Sequence, residues 1–291
     1  MGNTPDNLSL LLLNVGFTEM NANWNWKDVY SPFARLYYIK EGEAKTLIGN
    51  RTIILKPNHL YLTPPFTLHH NECNGYFSHY YIHFYEKVLN RESIFDKYEF
   101  PFELEASNLD LLLSQRLLDI NPDRHLQQLD PTLYDNIPTF SQLIADNNKL
   151  PMHTGIETRA ILQQFMAKFF EFAKIKTRHK DERITKCLKF IHENTDKDIS
   201  VGQLAGLVYI TEDHLIRIFK KEMNTTPLRY INAKKMEKAQ LLLLTTDMSI
   251  REIAFDLSID NISYFNRIFK SYTNSTPTEY RRSFNVPQKR N

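Results

Sequence analysis

Two stretches of the chain, IRIFKKEMNTTPLRY at 216–230 and NRIFKSYTNSTPTEY at 266–280, repeat one pattern fifty positions apart. Both contain RIFK, and the residues beyond it recur at the same offset: Asn224, Thr226, Pro227 and Tyr230, then Asn274, Thr276, Pro277 and Tyr280. Upstream, Ser200 recurs as Ser249 with one position fewer between the copies. Two copies are fewer than a stacked repeat array needs, so the pattern indicates a duplicated module.

Each copy predicts two short helices separated by a tight turn. In the first copy, Ser200 is expected to cap a helix over 201–208, and Thr211 to cap a second helix that ends at Asn224. In the second copy, Ser249 is expected to cap a helix over 250–257, and Asp260 to cap one over 261–272. This arrangement is a helix-turn-helix, in which the second helix enters the major groove of DNA.

Arg217 and Arg267 are expected on the exposed faces of these second helices, within reach of guanine or a phosphate. A lone arginine on a helix is usually a solvated surface charge, but its recurrence in a duplicated module favours a DNA contact. Helical hairpins that pack without DNA are the alternative for the module as a whole.

Charge is distributed unevenly along the chain, although its net value is only +2. Basic residues exceed acidic ones by seven in residues 171–291, whereas residues 1–170 carry five more acids than bases. This asymmetry favours a C-terminal half that binds an anion.

Two cysteines, Cys73 and Cys187, indicate free thiols in a reducing cytoplasm. The apolar segment 8–15 is far shorter than the ~20 residues of a membrane span, so no membrane partner is expected.

The N-terminal part reads as short β-strands separated by turn residues. Strands are expected over 33–40, 59–62 and 75–84, and a hairpin over 44–55 with its turn at Gly49-Asn50. Such a series is typical of a small sandwich or barrel.

Helical spacing follows after residue 105. Helices are expected over 106–120 and 155–176, with loop-like sequence at 121–136 between them and a polar linker edge at 174–180. The longer helix presents an apolar face at Ile161, Phe165, Phe169 and Phe172.

The second copy, IAFDLSIDNISYFNRIFKSYTNSTPTEYRR at 253–282, resembles the signature of the AraC-type (AraC/XylS) transcription regulators over roughly the last third of the chain. The shared features are the alanine, S-Y-F, R-x-F-K and T-P-x-x-Y-R, with a connecting helix that carries Lys235, Ala239, Leu241 and Leu242. Lys235 replaces a usual arginine, which is expected to weaken one phosphate or structural contact. Tyr209 and Ser258 replace a common glycine, so we expect the turn to use other dihedral angles.

The resemblance implies base-reading positions at the start of each second helix. In the first they fall on Thr211, Glu212, Asp213, Ile216 and Arg217, and in the second on Asp260, Asn261, Ile262, Ser263 and Arg267. His214, Lys220, Lys235 and Lys270 complete the expected DNA contacts. Because carboxylates suit only cytosine N4, the first helix should read fewer bases, through Arg217 and His214. One subunit should read two major-groove segments ~34 Å apart.

The pattern from LYYIKEGE at 36–43 to the aromatic strand ending in HF at 83–84 resembles the cupin-like sensor domain of that family. It implies a small effector, such as a sugar or metabolite, inside a β-barrel, and subunits paired through later helices. The counterpart is the helix at 155–176, for which packing onto its own barrel is an equal alternative.

Four histidines, His69, His70, His79 and His83, raise the question of a metal. A metal cupin would carry H-x-H and a carboxylate, whereas His69 and His70 are adjacent, so we expect no metal, no cofactor and no catalytic residue. An effector pocket is expected instead, lined by Tyr37, His69, His79, Tyr81 and His83. The alternative is a metal-dependent cupin enzyme fused to a DNA-binding tail.

The sequence therefore predicts an α+β chain: a cupin-like effector-binding β-barrel at 1–105, a helical linker and dimerisation region at 106–180, and an all-α DNA-binding domain at 181–291. Its two helix-turn-helix motifs span 200–223 and 249–272. The expected function is a cytoplasmic, effector-controlled, homodimeric transcription activator whose partners are promoter DNA and RNA polymerase. A third hypothesis is a constitutive DNA binder whose barrel only dimerises.

Overall fold

The computed structural model describes residues 8–87, 92–126, 128–131, 147, 149–176, 181–246 and 248–282. They fall into two compact units. The β unit is drawn from Met1–Lys87, Tyr98–Asp135 and Gln142–Lys174, and the helical unit from Val88–Lys97, Asn136–Ser141 and Ile175–Asn291.

Two antiparallel sheets form the β unit. The first has the strand order β1-β8-β3-β6-β10 and the second the order β2-β7-β4-β5. A third, two-stranded sheet pairs β9 with β11. Among the described residues the strands do not close into a barrel, so the expected α+β class is confirmed only at the level of antiparallel sheets. The strands are β1 Leu10–Asn21, β2 Trp26–Val29, β3 Ala34–Gly42, β4 Ala44–Ile48, β5 Arg51–Leu55, β6 His59–Thr63, β7 His69–Glu72, β8 Tyr76–Glu86, β9 Tyr98–Glu99, β10 Glu103–Glu105 and β11 Lys174–Ile175.

Strand β1 was not predicted, because its LLLLNV run lacks the alternation of a half-exposed strand. The structure gives the reason: β1 pairs along its length with β8, helices of the same unit pack against it, and most of residues 10–15 are buried. A strand covered on both faces has no polar face. The expected hairpin is confirmed, with Ile48 paired to Arg51 around the two-residue turn and Gly49 at φ 57°.

The β unit carries two longer helices, α2 Asn108–Asp119 and α3 Met152–Glu171. Ser107 caps α2, and reciprocal hydrogen bonds with Asp110 complete a capping box. The buried face of α3 packs against β1 and α2 of its own unit. The predicted end of this helix was wrong: it ends at Glu171, and Phe172 lies beyond it, 53% exposed. A short 3-10 turn, Pro122–Arg124, lies within the segment expected to be loop-like.

The helical unit contains a duplicated set of short helices around one long helix. A buried cluster that includes Ile184, Leu204, Leu215 and Phe219 forms its first half. None of the helices in the described part of the chain is both long and apolar enough to cross a membrane. The helices are α1 Ile94–Lys97, α4 Glu182–Glu193, α5 Val201–Leu207, α6 Glu212–Met223, α7 Pro227–Thr245, α8 Ile250–Asp256, α9 Ile262–Thr273 and α10 Pro277–Arg282.

Candidate nucleic-acid interface and candidate effector pocket

The turns between α5 and α6 and between α8 and α9 share one geometry. Tyr209 has φ 57° and Ser258 has φ 49°, so both adopt the left-handed conformation. The expectation of other dihedral angles was wrong. The next N–H reaches back to close the turn, from Ile210 to the Ala205 carbonyl at 3.1 Å and from Ile259 to the Ala254 carbonyl at 2.8 Å. This closure requires the left-handed residue whether or not it is glycine.

The two second helices are capped at their starts and stopped at their ends. Thr211 caps α6, and Asn224 and Asn274 end α6 and α9 with φ 56° and 60°, as predicted. The predicted cap of α9 was wrong by one residue: Asn261, not Asp260, accepts the Tyr264 N–H, at 2.9 Å. Because Asn261 still has extended dihedral angles, the helix begins at Ile262.

Most of the predicted DNA contacts lie on the exposed side of α6 and α9, opposite Leu215 and Phe219 in the first helix and Phe265 and Phe269 in the second. His214 and Ile216 are half-buried. The exposed members are Thr211, Glu212, Asp213, Arg217 and Lys220 in the first copy, and Asp260, Asn261, Ile262, Ser263, Arg267 and Lys270 in the second.

Lys235 does not lie on that surface. Its side chain is buried, and its Nζ donates to the main-chain carbonyls of Lys197 at 2.8 Å and Leu257 at 2.6 Å. Burial also lowers the pKa of Lys235, while Asp198 and Asp196 oppose that shift. The prediction of a DNA contact for Lys235 was wrong in this structure, because the ammonium is already bound inside the helical unit.

Glu212 turns back toward helix α5. A Cβ atom added to Gly202 would lie 2.9 Å from the Glu212 Oε1, so the carboxylate sits beside the first turn of α5. A carboxylate is favoured there by the partial positive charge of the helix start. This placement agrees with the expectation that acidic residues of α6 contribute little to base recognition.

The sequence reasoning missed a half-buried ionic cluster in the helical unit. The Lys234 Nζ lies 2.6 Å from Asp96 Oδ1 and 2.8 Å from Glu237 Oε2, and His192 Nδ1 lies 3.6 Å from Asp96 Oδ2. Burial lowers the pKa of His192 to about 4, with Asp96 opposing that shift. Asp96 lies on α1, far from the duplicated module in sequence, so no local pattern reveals the cluster.

The residues expected to line an effector pocket all lie inside the β unit. Tyr37, His79, Tyr81 and His83 project from β3 and β8 toward the second sheet, and all are buried. The His79 ring stacks on Phe77 with centroids 4.5 Å apart. Pairing of β3 with β8 therefore brings together four of the five side chains that the sequence grouped. The fifth, His69, lies on β7 of the second sheet.

The three buried histidines are held in the neutral form. Burial lowers the pKa of His69 to about 4 and that of His79 to about 3. Burial also lowers the pKa of His83, as does the charge of Arg35, whose Nη1 lies 3.2 Å from His83 Nε2. The sequence reasoning missed Arg35, an inward-facing basic residue within the apolar strand β3.

A row of polar atoms crosses the inner face of the second sheet. Trp26, Asn71 and Thr46 are cross-strand neighbours, and Asn71 shares its face with His69 and with Cys73 of the core. Trp26 Nε1, Asn71 Oδ1, Thr46 Oγ1 and His69 Nε2 are buried without a hydrogen-bond partner among the described residues, as is His79 Nδ1 of the first sheet. Buried polar groups are normally bonded, so these atoms suit a polar ligand or ordered water. The sequence reasoning did not select Trp26, Thr46 or Asn71.

Within the described ranges, no group of three or more His, Cys, Asp and Glu side chains is arranged to hold a metal ion. Cys73 and Cys187 are both buried free thiols.

Residues 204–283 match the family model described as a helix-turn-helix domain. The xylose operon regulatory protein of Escherichia coli (strain K12) is 35% identical over 101 residues, which are 35% of this chain and 26% of that protein. The Msm operon regulatory protein of Streptococcus mutans serotype c is 22% identical over 285 residues, 95% of this chain and 94% of that protein. The solved C-terminal domain of the response regulator yesN from Fusobacterium nucleatum is 32% identical and covers 35% of this chain and 99% of its own, with a TM-score of 0.33.

The chain spans about a quarter of the length of the xylose operon regulatory protein that it matches. The family-model match confirms that the helical unit carries a helix-turn-helix domain. The matched relatives are named as regulators rather than as enzymes.

Proposed function

We propose that this protein is a sequence-specific, DNA-binding transcription regulator that a small molecule controls, and that it acts as an activator. The observation that carries the proposal is the duplicated helix-turn-helix, in which two capped helices expose arginine, lysine and small polar side chains on the same relative face. In such motifs the first turns of the second helix contact base edges.

In this proposal Arg217 and Arg267 read bases, because a guanidinium binds the O6 and N7 atoms of guanine through two N–H groups. Lys220 and Lys270 lie one turn further along α6 and α9 and contact phosphates, which positions each helix in its groove. Asn261 and Ser263 add hydrogen bonds from the first turn of α9. The second helix then reads more bases than the first, whose Glu212 is turned away.

The β unit is proposed to be a cupin-like sensor domain. Its effector is proposed to be a small molecule such as a sugar or metabolite. The site is the interior between the two sheets, where neutral histidines and aromatic rings face a row of buried polar atoms without partners. A hydroxyl-bearing ligand would supply the missing donors and acceptors. A homodimer and contact with RNA polymerase complete the proposal.

Selection of bound duplexes from a randomised DNA pool by the full-length protein tests the DNA-binding part. The selected duplexes are expected to contain two specified segments one helical turn apart. Arg267→Ala should weaken the preference for one base in the second segment by about 1–3 kcal/mol. Arg183→Ala is the matched control, since Arg183 lies on α4, outside both second helices, and its Nη2 is 2.6 Å from the Asp181 carboxylate. A pool without enrichment, with and without candidate effectors, would contradict the proposal.

Melting temperatures across a panel of sugars and metabolites test the sensor. A ligand that binds the folded state should raise the melting temperature as its concentration rises. Thr46→Val and Asn71→Leu remove buried polar atoms that have no partner, so they should abolish the rise without lowering the melting temperature of the free protein. A rise that survives both substitutions would place the ligand elsewhere.

A further inference from the structure

Among the positions at which the two second helices differ, one lies three residues before the repeated arginine. Tyr264 precedes Arg267 by three residues on α9, and His214 holds the same place before Arg217 on α6. Side chains three residues apart share a helix face and lean toward its N-terminus, so the arginine reaches back over its neighbour. The module therefore presents its arginine beside a phenol ring in one copy and beside an imidazole in the other.

The guanidinium carbon of Arg267 lies 5.3 Å from the centroid of the Tyr264 ring. This is inside the ~6 Å range over which a cation and an aromatic face attract each other. Burial restricts the ring, because Tyr264 is half-buried, and its main-chain N–H donates to the capping side chain of Asn261, which fixes the start of the helix. Within the described part of the chain, no aromatic ring lies over Arg217 in this way.

We propose that Tyr264 is a positioning residue for base recognition: its ring orients the Arg267 guanidinium before DNA binds and makes α9 the more discriminating helix. The inference rests on the proposed function, because it takes Arg267 as a base-reading residue. A guanidinium that lies over a ring keeps the N–H groups at its edge available for guanine. A side chain that is already oriented also loses less conformational freedom on binding.

The test compares the base preferences of full-length wild type, Tyr264→Phe and Tyr264→Leu in a selection from a randomised duplex pool. Tyr264→Leu should lower the preference for the base read by Arg267 about two- to fivefold, the size of an exposed cation–π contact. Tyr264→Phe keeps the ring and should keep the preference. The salt dependence of binding should be the same for all three proteins, because no phosphate contact changes.

His214→Tyr is the complementary variant, because it adds a ring beside Arg217 and removes nothing from α9. It should sharpen the base preference of the first DNA segment by a similar ~two- to fivefold factor and leave the second unchanged. This variant also keeps the inference testable if Tyr264→Leu does not fold.

The outcomes separate the inference from the function on which it rests. If wild type enriches no sequence under any condition, the proposed function fails. If wild type enriches two segments and Tyr264→Leu leaves the second intact, only the role of Tyr264 is overturned. An equal loss in Tyr264→Phe and Tyr264→Leu would overturn it as well, because the hydroxyl rather than the ring would then be responsible.

Discussion

The Nζ atom of Lys234 lies 2.6 Å from Oδ1 of Asp96, although 138 positions separate the two residues in the sequence. Burial alone would lower the pKa of Lys234, but the charges of Asp96 and Glu237 outweigh it and the net shift is upward. Lys234 therefore stays charged, and its pairing with Asp96 joins α1 to the long helix α7 within the helical unit.

Removing the Asp96 charge should destabilise the helical unit. Asp96→Asn is expected to lower the free energy of unfolding by about 2 kcal/mol, less than the ~3–5 kcal/mol for a fully buried pair, because Glu237 still pairs with Lys234. Asp256→Asn is the matched control, because its partner Lys238 lies on the same helix as Lys234. Lys238 Nζ and Asp256 Oδ2 are 3.8 Å apart, and both side chains are more exposed. Its expected effect is below about 1 kcal/mol. Equal losses in urea unfolding would contradict this ranking.

Acid should destabilise the β unit through its buried histidines. The pKa of His69 is about 4 and that of His79 about 3 in the folded state, against the ordinary histidine value of 6.5. Between pH 6.5 and the folded-state pKa of each histidine, the unfolded chain binds more protons than the folded one. The free energy of unfolding therefore keeps its full value above pH ~6.5 and falls as pH drops toward 4, by about 1.4 kcal/mol per pH unit for each histidine.

The comparison of His79→Leu with wild type checks this sign. Leucine cannot be protonated, so the variant should lose less stability than wild type between pH 6.5 and 4 in thermal melts. His153→Gln, an exposed position on α3, is the control. Parallel curves for His79→Leu and wild type would show that His79 does not govern acid stability.

Lys235 and Lys220 are both expected DNA contacts from the sequence, but their substitutions should affect stability and the salt dependence of DNA binding differently. Lys235→Met leaves the Lys197 and Leu257 carbonyls without their buried donor and should lower the free energy of unfolding by about 1–3 kcal/mol. Lys220→Met alters an exposed side chain and should leave stability within about 0.5 kcal/mol. It should instead reduce the slope of log binding constant against log salt by about one. A lower salt slope for Lys235→Met would return Lys235 to the DNA interface.

The left-handed turn residues offer a further test. Tyr209 is 95% exposed, so Tyr209→Gly removes the strain of a left-handed tyrosine without losing packing and should stabilise the protein by about 0.5–1 kcal/mol. Ser258→Gly should gain less, because the Ser258 hydroxyl donates to the Asp196 carbonyl at 2.7 Å. Thermal melts of the two variants make the comparison. A loss of stability in Tyr209→Gly would contradict the role assigned to strain.

The features that the sequence predicted well are local ones. The caps at Ser200, Thr211 and Ser249 and the stops at Asn224 and Asn274 each depend on residues within one helical turn. Short-range hydrogen bonds of this kind leave a direct pattern in the residue order.

The features that the sequence did not predict depend on contacts between distant segments of the chain. Lys235 and Arg35 are buried basic residues with partners from distant segments: the Lys197 and Leu257 carbonyls for Lys235, and the His83 ring for Arg35. Strand β1 lacks an alternating pattern because helices α2 and α3, which lie nearly a hundred positions or more further on, pack against it. Residue order carries no short-range sign of such partners.

Lys235 has a consequence for the DNA that the helical unit accepts. The single ammonium group of Lys235 donates to two carbonyls. One belongs to Lys197, just before the first copy, and the other to Leu257, at the end of α8 in the second copy. In the proposed function, in which α6 and α9 read DNA, this lysine constrains the separation of the two helices, so it does not adjust freely to the duplex. Operators in which the two segments are moved apart by one base pair must be twisted or bent to fit, and sequences that deform easily between the segments will tolerate such changes best.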